Sequence, residues 1–224
     1  SRPVSVGLIS TGDEVVPPDV VPLAHQIRAS HPLTLRTLLQ SQRAMSWRHE
    51  HVGDTSEALR MAINGMLTKV DVLLLTGGVS MGRWDLVPGA LVDCGVEPVF
   101  HRVAQKPGKP LWFGRQGHRS VFALPGNPQS ALCCARRYVC PALDTYAGAV
   151  PRGIFPVVLA DAVRPLPSFA RFVPVRLEEG TLTVASTSNS GHVQGLSGTC
   201  GFVECPRGEE EIPAGTPIPF YTWS

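Results

Sequence analysis

A surplus of charge is what the chain most plainly lacks. Its 20 basic and 18 acidic side chains nearly cancel, leaving a formal net charge of +2. Without a basic surplus, charge-driven nucleic-acid binding is excluded. No apolar run reaches the roughly 18 to 20 residues that a membrane-spanning helix needs. None of the six cysteines (Cys94, Cys133, Cys134, Cys140, Cys200 and Cys205) stands in a CxxC pair or a Cys/His zinc spacing. The phosphate-binding pattern GxxxxGK[ST] and the dinucleotide pattern GxGxxG are both missing. Aromatic residues are only 7% of the chain, and Trp47, Trp84, Trp112 and Trp223 form no series on which single-stranded bases would stack. Internal repeats and low-complexity segments are absent.

What is present is apolar patterning at 43% hydrophobic content over 224 residues, enough for a substantial core. Val4 to Ile9 reads as a strand, running straight from Ser1-Arg2-Pro3 with no signal-peptide pattern. Ser30 caps a helix with Pro32 in its first turn and Leu35, Leu38 and Leu39 on one face. Met45 to Val52 is a second strand. Asp54, with Glu57 three residues on, opens a helix whose apolar stripe is Leu59, Ala62, Ile63, Met66 and Leu67. The run Asp71-Val72-Leu73-Leu74-Leu75 marks a central parallel strand. A helix over 85–93, a strand over 97–103, short strands at 111–113 and 120–124, and a helix over 128–147 follow. Alternating strands and helices predict an α/β domain, with a mostly parallel sheet and helices on both faces, over residues 1–147.

Beyond Tyr146-Ala147-Gly148 the helical pattern stops. Short β runs replace it at 155–160, 169–177, 181–185, 201–205 and 217–222, with a hairpin turn at Glu179-Gly180. These predict a small all-β barrel or sandwich over 148–224. Cys133, Cys134 and Cys140 read as small buried hydrophobes in a reducing cytoplasm. The direct start on a strand predicts part of a longer protein.

Ligands of open α/β sheets bind beyond the carboxyl ends of the strands. Two glycine-bearing loops stand there: Ser10-Thr11-Gly12-Asp13-Glu14 and Thr76-Gly77-Gly78-Val79-Ser80-Met81-Gly82. Glycine admits close backbone approach to an anion, and the Ser and Thr hydroxyls add donors. The plain alternative is a tight strand-to-helix turn. Lys106-Pro107-Gly108-Lys109-Pro110 offers two ammonium groups on a stiff loop, suited to phosphate or another oxyanion, or is a solvated basic turn. Leu124-Pro125-Gly126-Asn127-Pro128 precedes a long helix. Asn127 reads as its cap, or its surroundings offer N–H groups to an anion. Glu14, Asp54 and Asp85 accompany these loops; carboxylates so placed hold Mg²⁺, with Glu14 and Asp85 the candidate ligands, or act as caps and turn residues. The seven histidines show no metal-ligand spacing and read as surface or satisfied groups.

The four loops, in this order and spacing, resemble the molybdopterin molybdenumtransferases, the family that includes MoeA and the gephyrin E-domain. The resemblance covers the whole α/β part and, more loosely, the β-rich tail. It implies a reaction in which molybdate enters adenylylated molybdopterin with Mg²⁺ assistance and AMP is released. By position it assigns Glu14, Asp54 and Asp85 as functional acids. It assigns Lys106 and Lys109 to a basic anion loop, and Pro125 and Pro128 to the pocket wall. Ser10, Thr11, Gly12, Asp13, Gly77, Gly78, Ser80, Gly82, Gly126 and Asn127 complete the ligand-binding set. It also implies a homodimer in the full-length protein and two further domains ahead of this segment. Where the family reads Gly-Gln-Ile, then Asp and Asn, this chain reads His25-Gln26-Ile27-Arg28-Ala29-Ser30-His31. Two other readings stay open: a non-catalytic scaffold that binds a partner, and a nucleotide-cleaving hydrolase of related fold.

Overall fold

The computed structural model describes residues 3–42, 45–78, 86–149, 154–185 and 196–223. Along the chain the elements are β1 (Val4–Thr11), β2 (Val15–Val16), β3 (Ile27–Arg28), α1 (His31–Gln42), β4 (Met45–Val52), α2 (Ser56–Leu67) and β5 (Val72–Thr76). There follow α3 (Leu86–Asp93), β6 (Glu97–His101), β7 (Gln105–Lys106), β8 (Trp112–Gln116), β9 (Arg119–Leu124), α4 (Pro128–Cys134) and α5 (Cys140–Tyr146). The remainder is β10 (Phe155–Val158), β11 (Ala170–Glu178), β12 (Thr181–Val184), β13 (Gly201–Cys205) and β14 (Pro217–Thr222).

β5 is buried at every position, as its unbroken apolar sequence requires, and lies inside a sheet of order β4-β1-β5-β9-β8-β6. The pairs among β4, β1, β5 and β9 are parallel; β9 with β8 and β8 with β6 are antiparallel. Side chains alternate across the strands. Ile9, Leu73 and Leu75 pack under α2 and α3 against Leu59, Ile63 and Leu91. Val6, Leu8 and Leu74 pack on the other face against Leu35 and Leu39 of α1 and Ala131 of α4. Helices therefore cover both faces, and each fully buried leucine contributes about 1.5–3 kcal/mol.

Two local expectations are corrected. The cap of α2 is Thr55, not Asp54: Thr55 Oγ1 accepts from Ala58 N at 3.3 Å. Asp54 is engaged with another loop, as described below. The helix expected over 128–147 is interrupted by a π-helical segment, Ala135–Val139, between α4 and α5. Pro141 lacks an N–H and its ring crowds the carbonyl four residues back. The wider turn, in which Cys140 N bonds Ala135 O, accommodates it.

The second sheet has the order β10-β14-β13-β11-β12. A parallel bridge from Leu159 to Leu182, with Ala160 N donating to Leu182 O at 3.0 Å, joins the two ends of this path and closes a small barrel. Leu159, Val173, Val175, Val203 and Ile218 fill it. The turn between β11 and β12 has φ of 48° at Glu179 and 82° at Gly180, so both central residues are left-handed, as a two-residue hairpin demands. The barrel is docked, not merely tethered. β7 pairs in parallel with β11, Arg137 meets Glu204 at 2.9 Å, and Cys133 packs with Phe172, Phe202 and Tyr221. Among the described residues no helix is long and apolar enough to cross a membrane.

Candidate functional site

β1, β5 and β9 end side by side, with Ser10 in register with Thr76 and Thr76 with Leu124. The connection from β1 to β4 uses α1 on one face; the connection from β4 back to β5 uses α2 on the other. A sheet wound this way leaves a crevice between β1 and β5 at their carboxyl ends. A cavity of about 580 Å³ opens there, walled by Thr11, Glu14, Thr76, Gly77, Gly126 and Asn127 and, opposite them, by Ile27 to Pro32.

Close loop packing shapes this wall. Gly77 has φ of +95°, and a Cβ there would stand 2.6 Å from Thr11 Oγ1. A Cβ on Gly126 would stand 3.7 Å from Gly77 Cα, so the β5 and β9 loops are nearly in backbone contact. The opposite wall is held by the small β2–β3 sheet, in which Ile27 N donates to Glu14 O and Ala29 N to Val16 O, both at 2.8 Å. α1 and α4 both begin at the cavity, at His31 and Pro128. Helix N-termini present N–H groups and positive potential, which suits an anionic ligand. Asn127 does cap α4: its Oδ1 accepts from Ser130 N at 3.4 Å.

The expected acids are partly brought together. Asp13 N donates to Asp54 Oδ2 at 3.3 Å, and Asp54 N donates to Asp13 Oδ1 at 3.2 Å. This reciprocal pair ties the end of β1 to the end of β4. Glu14 is exposed on the cavity rim. Ser10, Thr11, Gly77, Gly126, Asn127 and Pro128 line the cavity as well. Gly12, Gly78 and Pro125 belong to the supporting loops without lining it, and Ser80, Gly82 and Asp85 lie outside the described residues.

Lys106 and Lys109 are not in the wall. Lys106 is exposed on β7, while Lys109 Nζ sits 5.5 Å from the centroid of the Phe169 ring, a cation–π distance. Their loop is shaped by Gln105, a buried amide that sequence reading passes over. Its Nε2 donates to Pro107 O at 3.3 Å and to Gly108 O at 3.4 Å, and its Oε1 accepts from Tyr138.

The histidines need a correction. His49 and His51 are satisfied, both through Ser10 Oγ. His31 is not: its Nε2 is buried with no hydrogen-bond partner. Burial pushes its imidazole down from 6.5 to about 4, so it stays neutral in the cavity wall at physiological pH. The unfolded chain takes up a proton near pH 6.5 that the folded chain refuses until about 4. The contribution of this group is therefore full above that window and is lost as pH falls through it. In urea melts, unfolding free energy should decline across the window, and His31→Asn should flatten that decline. An unchanged slope in the variant would remove His31 as the cause.

Comparison with known proteins follows the same division. The model of a probable molybdopterin binding domain matches residues 7–145, and that of the MoeA C-terminal region (domain IV) matches residues 156–223. A molybdopterin molybdenumtransferase of Synechocystis sp. is 34% identical over 226 residues, covering 97% of this chain and 55% of that protein. One from Synechococcus elongatus is 36% identical over 222 residues, covering 95% and 54%. A crystal structure of the molybdopterin biosynthesis moea protein from Pyrococcus horikosii superimposes with a TM-score of 0.85 at 27% identity, over 100% of this chain and 55% of that one. The chain thus spans about half the length of the curated relatives it matches.

Proposed function

We propose, from the premise that this chain belongs to the molybdopterin-binding domain family, that its strand-end cavity holds a phosphate-bearing molybdopterin. In the longer protein of which it corresponds to about half, the reaction proposed is that named for its relatives. Molybdate enters the dithiolene of adenylylated molybdopterin, and AMP is released. The observation that carries this reading is the single cavity in which the Thr11, Gly77 and Gly126 loops meet two helix N-termini and the Glu14 carboxylate.

In this reading the backbone of the Thr11, Gly77 and Gly126 loops shapes the ligand seat, the Thr11 and Thr76 hydroxyls donate to its oxygens, and Ser10 lines it. Ser80 and Gly82 extend that seat by sequence position alone. Lys106 and Lys109, set outside the wall, attract the oxyanion by charge rather than by seating it. Glu14 orients the reacting phosphate region or the water near it, while Asp13 and Asp54 hold each other and fix the rim.

Mg²⁺ fits this donor set. The exposed carboxylates of Asp13, Glu14 and Asp54 are hard oxygen ligands, and Mg²⁺ is commonly bound through one or two carboxylates plus substrate phosphates. Among the described residues no group of three or more His, Cys, Asp or Glu is placed to hold a metal ion, so Mg²⁺ would take its remaining oxygens from substrate phosphates and water. Glu14 and Asp85 are the proposed ligands, and the ion when bound would neutralise phosphate charge. A homodimer in the cytoplasm is carried over from the family resemblance.

The test is a titration of the full-length protein with adenylylated molybdopterin, with and without Mg²⁺. Saturable binding that weakens on Mg²⁺ removal is expected; no binding with Mg²⁺ present would sink the proposal. A second reading, a binding module without turnover, is favoured by one observation. Ile27 to His31, which line the cavity, belong to the segment His25 to His31 that departs from the family pattern. Binding without AMP release by the full-length protein would select it.

A further inference from the structure

Strand geometry places His49 and His51 on one face of β4. Trp47 and Met45, two and four residues before His49 on that face, pack against the core cluster under α1. β4 is an edge strand, and both imidazoles remain exposed. They border a second cavity of about 240 Å³, whose other walls include Val15, Val16, Pro17 and Pro18. Ser10 lines both this cavity and the larger one.

His49 Nε2 and His51 Nδ1 each lie 2.9 Å from Ser10 Oγ. A serine hydroxyl carries one proton. It therefore donates to one ring nitrogen and accepts from the N–H of the other. Two imidazole nitrogens are thus already aimed at a single point, beside a cavity with room for exchangeable ligands.

We infer that His49 and His51, with the Ser10 hydroxyl between them, form a binding site for a borderline divalent transition-metal ion of the Zn²⁺ class. Imidazole selects Zn²⁺, Ni²⁺ and Cu²⁺, whereas Mg²⁺ and Ca²⁺ prefer carboxylate, carbonyl and water. The site is therefore distinct in metal preference from the carboxylate rim of the larger cavity. Among the described residues no third His, Cys, Asp or Glu joins the pair. Water or an exogenous ligand fills the remaining positions, making this an open site rather than a closed structural one. Pre-alignment on Ser10 lowers the ordering cost of binding.

Binding requires both facing nitrogens to present lone pairs. The ring that donates to Ser10 in the free protein must shift its proton to its other nitrogen, so one histidine changes tautomer. The experiment is calorimetric titration of the whole chain with Zn²⁺ alone, together with histidine ring ¹⁵N spectra. One ion per chain is expected, with a tautomer change confined to one of the two rings. His49→Ala and His51→Ala should each weaken binding by more than about tenfold, and His101→Ala, at the opposite edge of the sheet, should not. Undiminished affinity in the double variant overturns the inference. So does the absence of any ring response in the parent chain, a readout that stands even if a variant fails to fold.

Discussion

Gly77→Ala is expected to lower the unfolding free energy by about 2–4 kcal/mol, combining a left-handed backbone cost with overpacking. Gly77 has φ of +95°, and the new Cβ would stand 2.6 Å from Thr11 Oγ1 and 2.9 Å from Thr11 O. The side-chain contact can be relieved by a rotamer change. The contact with the carbonyl cannot, because Thr11 ends a strand paired on both sides. Either β1 and β5 separate at their ends or the loop moves, and both deform the cavity wall. Gly65 supplies the control: it lies inside α2 with nothing within 4 Å of its added Cβ. Gly65→Ala should stabilise by about 0.5–1 kcal/mol, as alanine does in a helix interior. Urea midpoints moving in opposite directions would establish that backbone geometry, not glycine as such, governs the loop. A Gly77→Ala midpoint equal to the parent's would refute it.

Glu14→Ala should have the reverse profile: little change in stability and a large loss of activity. The side chain is exposed on the cavity rim, and exposed substitutions usually move stability by less than about 0.5 kcal/mol. If Glu14 positions the reacting group or its ion, AMP release by the full-length protein should fall about 10²-fold or more. Glu14→Gln keeps the shape and removes the charge. An equal loss in Gln assigns the effect to charge; a milder one assigns it to packing. Rates within about threefold of the parent, with folding intact, would take Glu14 out of the chemistry.

The elements were legible because their signals are local. The unbroken apolar run of β5, the stripe of α2 and the alternating turns of the barrel each carry their own period. The strand-end loops were legible because glycine and proline punctuate them. Asp54 reads in sequence as a cap or a functional acid, because a capping pattern does not reveal whether a neighbouring loop has claimed the carboxylate. Asp13 lies 41 residues away and does so. The π-helical turn before Pro141 is not legible in the sequence, because a proline inside a helix predicts disruption but not its form.

By itself the sequence determined that a mostly parallel α/β sheet would be followed by a small all-β unit, barrel or sandwich, and which loops would stand at the strand ends. Backbone preference and side-chain period act within a few residues, so they can be read along one dimension. Only the tertiary structure decided which of those loops meet. It joined Thr11, Gly77 and Gly126 in one wall, set Lys109 against Phe169 outside it, and turned His49 and His51 onto Ser10. Those meetings depend on strand order and register, in which each partner is chosen by the packing of the whole sheet.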